Sequence, residues 1–328
     1  MKNKYTLNRL FQHILWNSMK VLVVGGAGYV GGGIVDRLSQ NHEVTVYDSL
    51  VYETSYRKNV NFSLGDIREY DKLNKILNDF DVVIWLAALV GDGACAINPE
   101  LTHQINSESI KNLVKNFDKR IVFLSTCSVY GAQDGVLTEE SETNPLSEYA
   151  SSKILGEEYL KDWNSIIFRL GTLFGISDQF SRVRLDLVVN ILTAKALIEK
   201  KISVFGGDQW RPLLHVKDVA NAIDQTVDTS LNGIYNLHYK NYKIIDIAEK
   251  IKEKIGDVEI DITPMSFEDA RNYQVSSEKL EGESKFKAEI GLEQGIDEIY
   301  ELILNNRIKD INDPRYSNQN FLKEHGVS

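Results

Sequence analysis

Tyr149 and Lys153 stand four residues apart in EYASSK, so on a helix both side chains leave the same face. A tyrosine alone is a poor base at neutral pH, because its ordinary pKa lies near 10. A lysine ammonium beside it favours the phenolate. At about 4 Å and an effective dielectric of about 20 the attraction is about 4 kcal/mol, an upper guide to how far the phenol can be acidified. With a second positive charge nearby, such a pair turns tyrosine into a general base. Thr126 closes the apolar run RIVFLST. At the C-terminal end of a parallel strand its hydroxyl would face a ligand crevice, within reach of a substrate hydroxyl or of the Tyr149 oxygen. Taken singly, each of these residues also has an ordinary structural reading, so the elements that place them matter.

A second constellation lies upstream. Six glycines fall between positions 25 and 33 in VLVVGGAGYVGGG, directly after four apolar residues. Gly25, Gly28 and Gly31 form G-x-x-G-x-x-G between a predicted strand, 20–24, and a predicted helix, 29–39. In that setting a tight turn brings backbone N–H groups and a helix N-terminus toward a pyrophosphate, and side chains would block the approach. Asp48 ends the next predicted strand, twenty residues after Gly28. A carboxylate there accepts hydrogen bonds from an adenine ribose and repels a 2′-phosphate. Asp66, in GDIR, ends a third strand and either reaches the adenine ring or caps a helix.

The elements follow a regular alternation. Strands are predicted at 20–24, 43–48, 59–64, 81–87, 120–126 and 165–170, with helices near 29–39, 69–78, 99–116 and 147–163 between them. Strands apolar on both faces that alternate with helices predict an α/β fold, a doubly wound parallel sheet. The expected division is an N-terminal extension, 1–18, a dinucleotide-binding unit, 19–175, with segments returning near 214–238, and a smaller lobe over 176–328. In that lobe helices are predicted near 184–199, 216–229 and 243–256, with a short strand at 202–206. The tail, NDPRYSNQNFLKEHG, reads as polar and surface-bound. Leu7, Leu10, Phe11, Ile14 and Leu15 make 1–18 an amphipathic segment without the core of a signal peptide.

Composition narrows the function classes. The chain has 328 residues, a formal net charge of -10 and 43% hydrophobic residues, enough for a substantial core but unsuited to general binding of nucleic acid or anionic membrane. An anionic ligand therefore needs a local cluster of cations, and Arg182, Arg184 and Asn190 in FSRVRLDLVVN are candidates for phosphates or a nucleobase. The two cysteines, Cys95 and Cys127, have neither metal-type nor disulfide spacing, which predicts no metal site and a reducing cytoplasm. No apolar run approaches the roughly 20 residues of a membrane span.

The order of motifs resembles the extended short-chain dehydrogenase/reductases, and within them the nucleotide-sugar epimerases and dehydratases. It is carried by the glycine loop, LAAL (86–89), STCSVYG (125–131), YASSK (149–153), RLGTLFG (169–175) and RPLLHVKDVA (211–220), over about 19–305. The resemblance implies a Rossmann domain that binds NAD and a smaller C-terminal lobe that binds a nucleotide-linked sugar. It makes Thr126, Tyr149 and Lys153 the catalytic triad, with Lys153 also on the nicotinamide ribose. It adds Tyr29, Val30, Ile67, Leu86, Ala87 and Ala88 to the cofactor site, and Thr172 and Arg211 to the substrate site, Arg211 on the diphosphate. It also implies a homodimer through the helices at 99–116 and 147–163.

Departures from the family pattern bear on the reaction. Sugar 4,6-dehydratases carry Asp-Glu after the threonine, where this chain has Cys127 and Ser128, so dehydration is disfavoured. Thr172 stands where an asparagine is frequent, Trp85 where a histidine is common, and the loop 90–99 is unlike the common epimerase version. The expected activity is oxidation at C4 of a nucleotide sugar, ending in a 4-epimerase. The alternatives are a 4-dehydrogenase that releases the ketone, for example on GDP-heptose, and a non-catalytic dinucleotide sensor.

Asp48 yields a direct expectation about cofactor choice. A carboxylate facing a 2′-phosphate repels it. Calorimetric titration should show NAD binding more tightly than NADP, and equal or tighter NADP binding would contradict the assignment of Asp48.

Overall fold

The computed structural model describes residues 18–264 and 271–326. The amphipathic segment 1–18, apart from Ser18, lies outside the described residues. Among the described residues fourteen strands follow in chain order: β1 Lys20–Val24, β2 Glu43–Asp48, β3 Asn61–Leu64, β4 Val82–Trp85, β5 Arg120–Thr126, β6 Ala132–Leu137, β7 Ser165–Leu170, β8 Thr172–Phe174, β9 Lys201–Phe205, β10 Trp210–His215, β11 Gly233–Leu237, β12 Lys240–Lys243, β13 Glu259–Thr263 and β14 Asn272–Val275. The α-helices are α1 Tyr29–Leu38, α2 Tyr70–Leu77, α3 Asp92–Cys95, α4 Pro99–His103, α5 Ser109–Asn116, α6 Glu148–Leu160, α7 Val188–Ile198, α8 Val216–Thr226, α9 Ile244–Ile255, α10 Glu278–Glu283, α11 Leu292–Leu304 and α12 Asn318–His325.

Seven strands form one sheet in the order β11-β7-β5-β4-β1-β2-β3. Every neighbouring pair in it is parallel. Alternation along β1 explains why both faces are covered. Val21 and Val23 pack with Ile34 and Val35 of α1 on one face, and Leu22 and Val24 with Leu73, Leu77 and Ile110 on the other. The chain order reverses between β1 and β4, so the crevice for a ligand opens at the C-terminal ends of these two strands. Three small sheets, β12-β10-β8, β13-β9 and β14-β6, lie outside the seven-stranded sheet, and a separate apolar cluster includes Phe174, Val189, Val204 and Ile296.

Two features depart from the sequence expectation. The helix expected over 99–116 is interrupted by a π-turn, Gln104–Glu108, between α4 and α5. That turn aims Asn106 inward, where its amide accepts from Leu89 N at 2.8 Å and donates to Leu89 O at 2.9 Å and to Ser152 Oγ at 3.0 Å. Periodicity cannot reveal a single inserted residue of this kind. β11, within 214–238, is the seventh strand of the main sheet. Finally, the tail is not a surface-bound polar strand of chain. It folds into α12, which Ser317 caps by accepting from Asn320 N, and Leu322 enters the same core cluster as Trp85 and Cys95.

A buried ion pair fixes α6 to the sheet. Arg169 Nη2 lies 2.7 Å from Glu157 Oε2, and Arg169 Nε donates to Glu157 Oε1 at 3.0 Å. Ser125 Oγ donates to the same Oε1, and Arg169 Nη1 donates to Tyr130 Oη at 3.0 Å. Burial works against the Arg169 charge, but the Glu157 carboxylate outweighs it and holds the guanidinium firmly protonated. Removing one partner from such a pair typically costs about 3–5 kcal/mol, because the other charge is left uncompensated. This pair joins β5, β7 and α6, the elements that carry Thr126, Tyr149 and Lys153.

Candidate cofactor and catalytic cleft

The glycine loop is shaped by close approach. Gly25 has φ +83°, and a Cβ on it would lie 2.5 Å from Ala87 N. A Cβ on Gly31 would lie 2.6 Å from the Gly26 backbone. At Gly28 the nearest atom to an added Cβ is Gly25 O at 3.5 Å, so this position is open. The first and third glycines thus serve packing, whereas the second leaves room above the N-terminus of α1. Asp48 braces the loop: Oδ2 accepts from Ala27 N at 2.9 Å and Oδ1 from Leu50 N at 2.7 Å. Burial pushes the Asp48 carboxyl up, and these N–H groups with that of Ser49 act against it.

One cleft gathers most of the residues singled out in the sequence. Its lining includes Gly25, Gly28, Tyr29, Val30, Gly31, Asp48, Asp66, Ile67, Leu86, Ala87, Ala88, Tyr149, Lys153, Arg182 and Arg184. Asp66 does not reach out alone. It is paired with Arg68, which offsets burial and holds its carboxyl below the usual range. Thr126, beside the lining residue Ser125, is not itself among the cleft residues; it is 8% exposed and accepts from Ser128 N at 3.1 Å.

Asn190, Thr172 and Arg211 are not among the cleft residues. The Asn190 amide is taken up by Gly175 N at 2.9 Å and Arg184 O at 2.8 Å, so it positions the segment that carries Arg184. Thr172 pairs with Leu213 in the β8–β10 ladder. Arg211 is buried and its Nη1 donates to Trp210 O at 2.8 Å and Arg271 O at 2.6 Å. Cys127 is fully buried, its Sγ donates to Arg169 O at 3.2 Å, and burial pushes its thiol far up. Ser128 Oγ lies 3.4 Å from Tyr273 Oη. Neither lines the cleft.

The electrostatics differ from the simple Tyr–Lys picture. Lys153 is 3% exposed; its Nζ donates to Leu124 O at 2.9 Å and stands 4.8 Å from the Phe123 ring centre. Burial pushes its ammonium down to about 8, opposed by Cys95 and Glu157. Tyr149 is pushed well above its ordinary range, first by burial, then by Cys95 and Asp92, against a pull from Arg184 and Thr126. Arg184, from the stretch before α7, thus adds a cation to the surroundings of the phenol. Arg184 Nε and Nη2 grip Asp186 at 2.8 and 3.0 Å.

Sequence reasoning missed several cleft residues. Tyr52 lines it, with the Arg182 guanidinium 4.3 Å from its ring centre. Asn318 lines it from α12. No helix is predicted for this segment from the sequence. Trp85 is 1% exposed, with its Nε1 unpaired among the described residues. Among the described residues no three His, Cys, Asp or Glu side chains cluster as a metal site requires, and no helix is long and apolar enough to cross a membrane.

The NAD dependent epimerase/dehydratase family matches residues 21–237 of this chain. The chain belongs to this family. A putative UDP-glucose 4-epimerase of Methanocaldococcus jannaschii is 32% identical over 308 residues, covering 87% of this chain and 99% of its own. A UDP-glucuronic acid decarboxylase of Arabidopsis thaliana is 26% identical, covering 85% of this chain and 87% of its own. Among solved structures, the UDP-glucose 4-epimerase of Thermus thermophilus in complex with NAD is 25% identical with a TM-score of 0.74, covering 86% of this chain and 98% of that one. NAD is the cofactor of the family, and the cleft fits it: a Cβ-free approach at Gly28, a helix N-terminus above it, and Asp48 at the end of β2. That relatives of one family bear the names of different reactions places the choice of reaction in local residues rather than in the fold.

The buried ammonium has a consequence for stability. With its pKa near 8 in the folded chain and near 10.4 unfolded, Lys153 binds fewer protons when folded between those values, so its penalty is full below pH 8 and fades as the pH rises toward 10.4. Lys153→Met in the cofactor-free protein should therefore raise the melting temperature relative to the parent most at pH 7, with the gain shrinking above pH 8. Thermal melts at pH 7 and pH 9.5 check this; a gain that grows with pH would contradict it.

Proposed function

We propose that this protein is an NAD-dependent nucleotide-sugar 4-epimerase. The observation that carries the reading is the convergence of Tyr149 and Lys153 on the cleft that also holds the glycine loop and Asp48. The names of the relatives support a nucleotide sugar as substrate. NAD, once bound, supplies the acceptor for a hydride and a further positive charge beside the phenol.

In this reading Tyr149 Oη removes the proton of the C4 hydroxyl and later returns it. Thr126 holds that hydroxyl in line. Lys153 binds the nicotinamide ribose while Leu124 O keeps its ammonium in place. Arg184 lowers the cost of the phenolate from the opposite wall, and Asp48 accepts from the adenine ribose. Arg182 and Arg211 are assigned to the phosphates of the sugar nucleotide; Arg211 would have to exchange backbone partners for that role. The buried, neutral Cys127 and the Ser128 hydroxyl offer no acid–base pair for removal of water across C5–C6, which supports epimerisation over dehydration. Residues 176–328 are assigned mainly to the sugar nucleotide, and a homodimer through the helices at 99–116 and 147–163 is part of the proposal.

Tyr149→Phe tests it. The variant keeps the ring, and Lys153, Asp48 and the glycine loop remain to bind NAD. General-base catalysis is worth about 10²–10⁴-fold, so turnover of the nucleotide sugar should fall at least about 100-fold while NAD affinity changes little. Lys153→Ala should lower both. Near-normal turnover by Tyr149→Phe would remove the proposed base and the mechanism with it.

A further inference from the structure

The C-terminal segment spans the cleft rather than ending on the surface. On one wall it is bound to the stretch 182–186. Leu185 N donates to Tyr316 O at 2.9 Å, Arg182 Nη1 donates to Arg315 O at 2.7 Å, and Asn318 N donates to Asp186 Oδ2 at 2.8 Å. On the other wall Asn318 Nδ2 donates to Val90 O at 2.8 Å, beyond the end of β4. Arg182 Nη2 donates to Asn318 Oδ1. Asn318 is 4% exposed, and its backbone N–H and both side-chain polar groups are committed inside the protein. Farther along α12, Phe321 packs on Tyr52 with ring centres 5.2 Å apart, and a Cβ on Gly93 would meet the Gln319 side chain at 2.6 Å.

Val90, Tyr52, Arg182, Arg184 and Asn318 all line the same cleft. One short segment thus ties together walls contributed by the loop after β4, the loop after β2 and the stretch before α7. We propose that residues 313–325 are a clasp over the dinucleotide, fastened by Asn318, and that NAD enters and leaves only when the clasp opens. The proposal rests on NAD occupying this cleft and not on the chemistry at C4. Asn318 is a positioning residue: it holds Arg182 directly and Arg184 through Asp186. A clasp that retains the cofactor suits a reaction in which the hydride returns to the sugar in the same site, since nothing then requires the cofactor to exchange between turnovers.

The test is the rate of NAD release, measured by displacing bound NAD with an excess of a competing dinucleotide in the full-length chain. Asn318→Ala removes the bonds to Val90 and Arg182 and leaves the backbone bond to Asp186. Loss of hydrogen bonds that include a charged partner should speed release by about tenfold or more. Asn318→Asp keeps an acceptor for Arg182 and loses the donor to Val90, so its release rate should fall between. Lys323→Ala, on the exposed side of α12, should release NAD at the parent rate. Because Leu322 is buried, melting temperatures are recorded for each variant. NAD should also slow hydrogen exchange of the amides of 318–322 in the parent. Release from Asn318→Ala at the parent rate, in a protein that melts normally, would overturn the clasp. Loss of sugar turnover in that variant with unchanged NAD release would also overturn it and leave the C4 reading standing. Faster release in a protein that turns over no nucleotide sugar would support the clasp and count against the C4 reading.

Discussion

At the end of β1 the main chain of Gly25 runs so close to that of Ala87, after β4, that an added Cβ would lie 2.5 Å from the Ala87 nitrogen. This contact lies at the point where the strand order reverses, and the cleft depends on it. It sets how far the two halves of the sheet part at their C-terminal ends. It also aims the N-terminus of α1 into the gap, where partial positive charge and unpaired N–H groups suit a pyrophosphate. Asp48 then serves two ends at once. It braces the loop through Ala27 and Leu50, and it sits at the rim where a ribose would meet it.

The far end of the cleft is governed by burial of charge. Lys153 is an ammonium held by a backbone carbonyl, and burial pushes its pKa down toward 8. The ion pair of Glu157 and Arg169, one helical turn beyond it, holds α6 against β5 and β7. On the opposite wall Arg184 keeps its charge because Asp186 is bidentate to it, and Asp186 in turn accepts from the backbone of Asn318. A chain with a net charge of -10 thus concentrates three cations, Lys153, Arg182 and Arg184, along one cleft, where an anionic cofactor and substrate would be received.

The central sheet was legible because its strands are apolar on both faces and its glycines have a geometric purpose. The bounds of β1, β2, β5 and β7 follow directly from the apolar runs. Gly25 and Asp48 were legible as well, because each sits at a strand end, and Tyr149 with Lys153 because four-residue spacing on a helix puts them on one face. What the sequence hid is set by tertiary contact. Nothing local marks the π-turn that presents Asn106, or tells Arg182, which lines the cleft, from Asn190, which only supports it. Nor does the sequence show that Leu124 O holds the Lys153 ammonium, or that Arg184 adds a pull on the Tyr149 phenol. The tail was misread as surface because its polar residues are satisfied by other parts of the chain, which composition alone cannot reveal.

The central claim is that C4 of the sugar is oxidised and reduced within one closed site. It is tested most directly with nucleotide sugars carrying deuterium at C4, the products being examined by mass spectrometry and NMR. The account predicts a 4-epimer that keeps the deuterium at C4, with no incorporation from solvent and no net build-up of reduced cofactor. An epimer whose deuterium has been lost, or a released 4-keto sugar with deuterium accumulating on the reduced cofactor, would contradict it.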